Sequence, residues 1–298
     1  MKKKSIKKKS IKNKSIKNKS IKKKLIIISS ILLIIIILLV INNKLIGITN
    51  YNIKSKKIKK DIVIVQISDL HNTEFGSNQK KLIAKTKKIK PDIITITGDL
   101  IDSSKTNINI AMKYVKQAVK IAPTIYVSGN HEAWNASAYY DLKDKLKEAG
   151  VIILEDKVKE LKIKSSKISV IGLSDPDFMS DLGVSNLDSL STTLDSINYN
   201  TDNFVLLLSH RPEAYKSYEN RDIDLVLTGH AHGGQFRIPF VGGVIAPGQG
   251  FFPEYDAGLY KSKKDNMKMI VSRGLGNSII PLRINNNPEI VVVTIKHN

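Results

Sequence analysis

From Asp61 onward, apolar runs of strand length alternate with amphipathic stretches, which is the pattern of an α/β chain. Ile62 to Ile67 is rich in β-branched residues and reads as a strand. Lys80 to Lys90 sets Leu82, Ile83 and Ile89 on one helical face, and Pro91 stops it. Ile93 to Thr97 is the next strand. A helix with Ala111, Val115 and Ala118 on one face follows and ends before Pro123, and Thr124 to Val127 forms a third strand. Ala138 to Ala149 reads as a helix capped by Gly150. The second half repeats the theme more loosely, with strands at Ile168 to Ile171, Phe204 to Leu208, Leu225 to Leu227 and Ile290 to Ile295. One folded domain over residues 61–298 accounts for all of these.

The first sixty residues follow other rules. Leu25 to Ile41 is almost entirely Ile, Leu and Val, broken by Ser29 and Ser30. At about 1.5 Å per residue, it is just long enough to cross a bilayer with flanking help. A cleaved signal peptide has a similar outline. However, residues 42 to 50 hold no alanine and no small-x-small site, and the run exceeds the usual signal core of about 7 to 15 residues, so an uncleaved transmembrane anchor is the favoured reading. Residues 1–24 are a lysine-rich pentapeptide repeat with too little apolar surface to fold alone, read as a basic disordered tail. Anionic lipid headgroups are its natural partner, and RNA is the other polyanion it could take. Residues 42–60, rich in Asn and Lys, read as a juxtamembrane linker. Thirteen lysines precede the apolar run and six follow it before residue 61, which places the N-terminus in the cytoplasm and the large domain outside a cell membrane crossed once.

Charge changes the picture only at that end. The formal net charge is +21, but residues 1–60 hold 19 lysines and no acidic residue, so residues 61–298 carry about +2. A nearly neutral domain argues against long nucleic-acid tracks, and no specific nucleic-acid partner is expected. The absence of cysteine excludes disulfides and thiolate metal ligands. A metal would be held by His, Asp, Glu or Asn, a donor set suited to Mn, Fe or Zn. The pattern sets no oligomeric state.

The chemistry gathers at strand ends. Five strands run into polar clusters: Asp69-Leu70-His71, Gly98-Asp99, Gly129-Asn130-His131, Ser209-His210 and Gly229-His230-Ala231-His232. These absorb every histidine except His297. Strand ends of α/β sheets are where sites assemble. On an extended segment, Asp69 and His71 would point the same way and could grip one ion, and the spacing recurs at His230 and His232. Glycines 98, 129 and 229 would let the backbone turn sharply there.

In order and content, these blocks resemble the calcineurin-like metallophosphoesterases, whose motifs run Asp-x-His, Gly-Asp, Gly-Asn-His, His and Gly-His-x-His. The likeness is greatest to a membrane-associated bacterial branch that continues as Gly-His-x-His-Gly-Gly-Gln, here Gly229 to Gln235. That branch also shows a late Gly-Leu-Gly and Pro-x-Arg, here Gly274 to Gly276 and Pro281 to Arg283. The resemblance implies a β-sandwich flanked by helices, in four layers α/β/β/α, after the single transmembrane helix. It implies two divalent metal ions: Asp69, His71 and His232 on the first, Asn130, His210 and His230 on the second, and Asp99 bridging both. It implies His131 as general acid, oriented by Asp102. In the related protein phosphatases a phosphate-gripping Arg follows that Asp, whereas Ser103 stands here, which counts against protein-phosphatase specificity.

Beside the blocks, Arg211 could contact a substrate phosphate or sit at the surface. Trp134, Tyr139 and Tyr140 could line a substrate wall, although core packing is the plainer reading. Gln235 would shape the metal loop. The function expected is a metal-dependent phosphohydrolase acting on a phosphomonoester or phosphodiester. The alternatives are a nuclease or cyclic-nucleotide diesterase with the same site, and a non-catalytic membrane-anchored binding protein.

Overall fold

The structure, a computed structural model, describes residues 18, 21–34, 36–37, 40–41, 43–179, 186–277 and 282–298. The chain divides into two compact units, Met1–Asn42 and Asn43–Asn298. In the first, residues 21–34, 36–37 and 40–41 are helical, and the apolar side chains of Leu25, Ile26, Ile27 and Ile28 are exposed. Among the described residues, no helix is long and apolar enough to cross a membrane. Nearly all of the basic repeat tail lies outside the described residues, as do Ile35, Leu38 and Leu39 of the expected anchor.

The second unit opens with β1 (Gly47–Ser55), β2 (Ile62–Ile67), β3 (Ile93–Thr97), β4 (Thr124–Val127) and the short β5 (Ile152–Ile153). Then come β6 (Lys157–Ile163), β7 (Ser166–Gly172), β8 (Phe204–Leu208) and β9 (Leu225–Thr228). Two small hairpins, β10 (Arg237–Ile238) with β11 (Gly242–Gly243) and β12 (Ile245–Ala246) with β13 (Gly250–Phe251), precede β14 (Gly258–Lys261), β15 (Lys268–Val271) and β16 (Glu289–His297). The long strands form two six-stranded sheets, ordered β1-β16-β2-β3-β4-β5 and β14-β15-β9-β8-β7-β6.

The sheets face each other across a dry core in which Ile64, Val127 and Val291 of one meet Val170, Leu206 and Leu227 of the other. Three helices cover the outer face of the first sheet: α1 (Lys80–Ile89), α2 (Ile108–Ala118) and, beyond the short α3 (Asn130–Trp134), α4 (Ala136–Glu148). Their apolar stripes bury Leu82, Val115 and Leu142 against Val65, Ile96 and Tyr126. On the second sheet, α5 (Asp188–Ser196) and α6 (Tyr215–Tyr218) lay Leu190, Leu194 and Tyr218 over Leu207 and Val226. The unit is thus an α/β/β/α sandwich. Strands buried on both faces read as unbroken apolar runs, which is why β2, β3, β4 and β8 have the bounds their sequence predicts.

One expectation is corrected. Residues 42–60 are not a linker, because Gly47–Ser55 is β1, paired in parallel with the last strand from Gly47 opposite Glu289 to Ser55 opposite His297. As an edge strand it keeps only Ile53 buried, so its lysine and asparagine content resembles that of a linker. Ile46, Ile53 and Ile58 fasten the segment to the core.

Candidate metal centre

Strands β2, β3, β4, β8 and β9 end on the same side of the sandwich, and the residues just past them converge. They do not arrive as extended segments. Asp69, His71, Asp99, His230 and His232 all have left-handed backbone, with φ of 52°, 42°, 53°, 63° and 48°. The two-residue spacing therefore works through tight turns rather than β alternation. Such φ values are costly for non-glycine residues and persist where the surroundings over-determine them. Here the Asp69 amide donates to the Gly98 carbonyl and the His71 amide to the Asp99 carbonyl, stitching the first loop to the second.

Close approach explains the glycines better than flexibility does. A Cβ on Gly129 would lie 2.2 Å from Asp99 Oδ1, and one on Gly229 would lie 2.0 Å from Ser68 Oγ and 2.5 Å from Asp69 Oδ2. The late Gly-Leu-Gly backs the same turn: the Leu275 and Gly276 amides donate to the carbonyls of Ser68 and Asp69.

Besides the trio of His71, Asp102 and His131, two groups of side chains that carry the expected ligands meet in this cleft. In the first, ligand atoms of Asp69, His71, Asp99 and His232 lie within 4.8 Å of one another, and all four residues are buried. His71 Nε2 is 3.1 Å from His232 Nε2 and 3.4 Å from Asp99 Oδ2. Asp69 Oδ1 accepts from the His230 amide, and its Oδ2 is buried with no partner among the described residues. In the second, Asp99, His210 and His230 lie equally close. His210 Nε2 is 3.2 Å from Asp99 Oδ2 and 3.0 Å from Asn130 Oδ1. His210 Nδ1 lies 2.8 Å from the Thr97 carbonyl, which can only accept, so Nδ1 carries a proton there. Asp99 belongs to both groups.

Burial and charge divide these residues. Burial holds the His71 ring down to about 3, against the attraction of Asp99, and holds His232 well below the usual histidine value. Burial would lower His210 too, but the Asp99 and Asp69 carboxylates raise it to about 10. Asp69 is pushed up to about 6 by burial, with Asp99 adding to the effect. Burial also opposes ionisation of Asp99, yet the His210 and His71 rings hold it well below the carboxylate range.

His131 sits on α3 beside the first group, its ring centroid 4.5 Å from that of His71. Its amide donates to Asp99 Oδ1 at 2.9 Å. The Ser103 amide donates to His131 Nδ1 at 3.0 Å, which assigns the ring proton of the neutral form to Nε2. Asp102 does not make the expected bond to this ring. Its Oδ2 stays 3.9 Å from Nδ1, while its Oδ1 accepts from the Ser104 and Lys105 amides and so shapes the turn that presents Ser103. Glu132 lies just outside the polar blocks that the sequence singles out. Its buried carboxylate accepts from the Asp99, Ile101 and Gly129 amides, clamping the Gly-Asp loop to the Gly-Asn-His loop. Its position directly after the Asn-His pair is the one signal that could have marked it.

The surface reading of Arg211 is corrected: it is buried and engaged with Asp175 and Asp177, and its Nη1 donates to His230 Nε2, which sets the guanidinium beside the second group. The three aromatics separate. Tyr139 enters the core, whereas Trp134 and Tyr140 are exposed, Trp134 with its ring centroid 4.9 Å from that of His131. Gln235 donates to the Leu282 carbonyl and shapes the loop. Arg283 is buried, and its Nη2 lies 3.2 Å from His232 Nδ1; Pro281 of the same motif lies outside the described residues.

The donor set fits divalent cations. Around His210, three lone-pair atoms converge, and in the first group two neutral rings bring nitrogens within 3.1 Å of each other beside an orphaned carboxylate oxygen. Such an array is repulsive without a cation or proton among its members, and its nitrogens and oxygens suit borderline and hard metals. A four-layer sandwich with clustered Asp and His at its strand ends defines a metal-binding hydrolase class. The chain belongs to the calcineurin-like phosphoesterase family, whose signature matches residues 62–234, and it is a hydrolase acting on phosphate esters. It is 31% identical over 245 residues to the metallophosphoesterase YkuE of Bacillus subtilis, covering 78% of each chain. A metallophosphoesterase of Aquifex aeolicus is 29% identical over 238 residues, covering 78% of this chain and 84% of its own. The phosphodiesterase YaeI of Escherichia coli is 27% identical over 242 residues, covering 77% and 80%.

Proposed function

We propose that the chain holds two divalent cations and hydrolyses a phosphomonoester or phosphodiester with His131 as proton donor. The observation that carries this reading is Asp99 Oδ2, placed 3.4 Å from His71 Nε2 and 3.2 Å from His210 Nε2, so that one carboxylate serves both groups. Asp69, His71 and His232 would hold the first cation, Asn130, His210 and His230 the second, with Asp99 between. When bound, such cations supply an acidified water and stabilise charge on phosphoryl oxygens. Asn130 contributes a neutral oxygen and limits the negative charge. His131 Nε2, the ring nitrogen that the Ser103 amide does not bond, would face the leaving alkoxide and pass it a proton that solvent returns to the ring. Asp102 acts one step removed, by fixing the Ser103 turn. The name of the Escherichia coli relative supports the diester option.

We also propose that residues 25–41 anchor the chain in the cell membrane, with residues 43–298 on the extracytoplasmic side. The lysine imbalance supports that orientation, and the exposed apolar side chains from Leu25 to Ile34 support a lipid environment. The hydrolase reading is tested with the purified full chain by metal analysis and by turnover of an aryl phosphate ester with Mn, Fe or Zn. Two bound cations and metal-dependent turnover are expected; a chain that binds neither and stays inactive refutes it. Protease added to intact cells should cut the domain, and a protected domain refutes the orientation.

A further inference from the structure

After Gln235 the chain leaves the second sheet and forms the hairpins β10–β11 and β12–β13. In a protein with 48 basic and 27 acidic side chains, residues 238–253 contain no Asp, Glu, Lys or Arg. Their large apolar side chains point outward: Phe240 is 110% exposed, Phe251 72%, Phe252 64% and Val241 62%. Soluble surfaces rarely cluster exposed apolar groups in this way without a partner.

The base of this extension is held firmly. Asp256 Oδ2 accepts from the Gly243 amide and from Arg237 Nη1. The Val244 amide donates to the Phe236 carbonyl, and Gln249 bonds Tyr255 through both ends of its amide. The apolar tip is therefore presented by a fixed scaffold. Its location carries the rest of the argument. At Gly248, in the turn between β12 and β13, a Cβ would lie 3.6 Å from His230 Nε2. Phe251 is three residues further on, and three residues span at most about 10 Å. The tip thus begins beside the second metal group.

We propose that this tip seats in a lipid bilayer, and that the phosphate ester cleaved at the adjacent site is carried by a lipid. The substrate half rests on the hydrolase reading above; the seating does not. Composition favours lipid over a protein partner. Protein interfaces set their aromatic anchors among Tyr, Trp and Arg hot spots and a polar rim, whereas residues 238–253 offer Phe, Val, Ile and Pro with no charge, and Arg237 and Asp256 at the base pair with each other. Apolar side chains on an interfacial element match the acyl boundary, and the apolar run at residues 25–41 gives the same chain a second affinity for that phase.

The chain has no cysteine, so Phe240→Cys and Phe251→Cys each give one labelling site, with Lys147→Cys on the exposed face of α4 as reference. The full chain carrying an environment-sensitive fluorophore is reconstituted in vesicles of phosphatidylcholine and phosphatidylglycerol. Labels at 240 and 251 should be quenched by acyl-chain bromines and shielded from aqueous iodide, with the reverse at 147. Equal iodide access at all three sites overturns the seating. Shielding that follows protein concentration and ignores the bromines also overturns it, in favour of a second copy. The triple variant Phe240→Ser, Phe251→Ser, Phe252→Ser should keep its turnover of soluble aryl phosphate and lose about tenfold or more in kcat/KM on phosphatidic acid in vesicles. Equal loss on both substrates overturns the lipid-substrate claim. If the unsubstituted chain hydrolyses neither, the hydrolase reading falls together with that claim, and quenching alone decides the seating.

Discussion

The two groups of the candidate metal centre are built from the same residue types and differ in what holds their side chains. Around His210, hydrogen bonds do the positioning: Nδ1 is spent on the Thr97 carbonyl, and Nε2 faces Asp99 and Asn130. Around His71 and His232, tight left-handed turns, a feature His230 of the other half shares, and amide bonds between loops do more of it, and Asp69 Oδ2 and His71 Nδ1 have no hydrogen-bond partner among the described residues. In one half the Asp99 and Asp69 carboxylates keep a proton on His210, which a cation would have to displace. In the other, burial keeps the His71 and His232 rings neutral beside the Asp99 anion. Similar ligands can therefore differ in what a metal must displace.

The shared carboxylate is where this contrast can be broken outright. Asp99→Asn removes the anion common to both groups and should lower kcat by about 1,000-fold, which amounts to about 4 kcal/mol of lost charge stabilisation. Metal analysis of the same variant should show both cations weakened. A variant that loses only one would show that Asp99 serves one half.

Proton competition sharpens the contrast. A metal ligand must be deprotonated, so affinity rises with pH until the ligand's own value is passed. With His210 raised to about 10, cation binding on its side should strengthen by about tenfold per unit between about pH 7 and 9. On the other side, His71 stands at about 3 and Asp69 at about 6. Binding there should be flat over that window and weaken as pH falls below about 6. Calorimetric titration with Mn at several pH values would separate a rising event from a flat one, and two events rising together would erase the distinction. The smallest effect expected is that of Ser103→Ala. The Oγ contact 3.1 Å from His131 Nδ1 is lost while the amide bond remains, so kcat should fall by about fivefold with metal content unchanged.

Much of this was legible in the sequence because the strands that carry the site are buried on both faces and end abruptly in polar blocks. The seven metal-ligand candidates could be named from those blocks, and the fold brings them all to one cleft. The conformation that does so was not legible: φ values near 50° at Asp69 and Asp99 come from contacts between loops far apart in sequence. Glu132 was overlooked for a related reason, since a carboxylate bonded only to backbone amides leaves no charged partner to look for. Asp102 shows the converse. Its spacing suggested a direct contact, but the intervening serine made it first.

The pairing of the first strand of this unit with the last has a consequence for assembly. Strand β16 lies between β1 and β2, so the sheet that carries Asp69 and Asp99 has no continuous edge until Glu289–His297 is available. Contacts between Gly47 and Glu289 are among the longest-range a chain of this size can make, and closing them is slow compared with forming local helices. During synthesis the metal loops would wait, partly framed, for the final strand. Loss of the strand from Val291 to Ile295, remote in sequence from every ligand, would then be expected to leave the protein unable to finish its own active side.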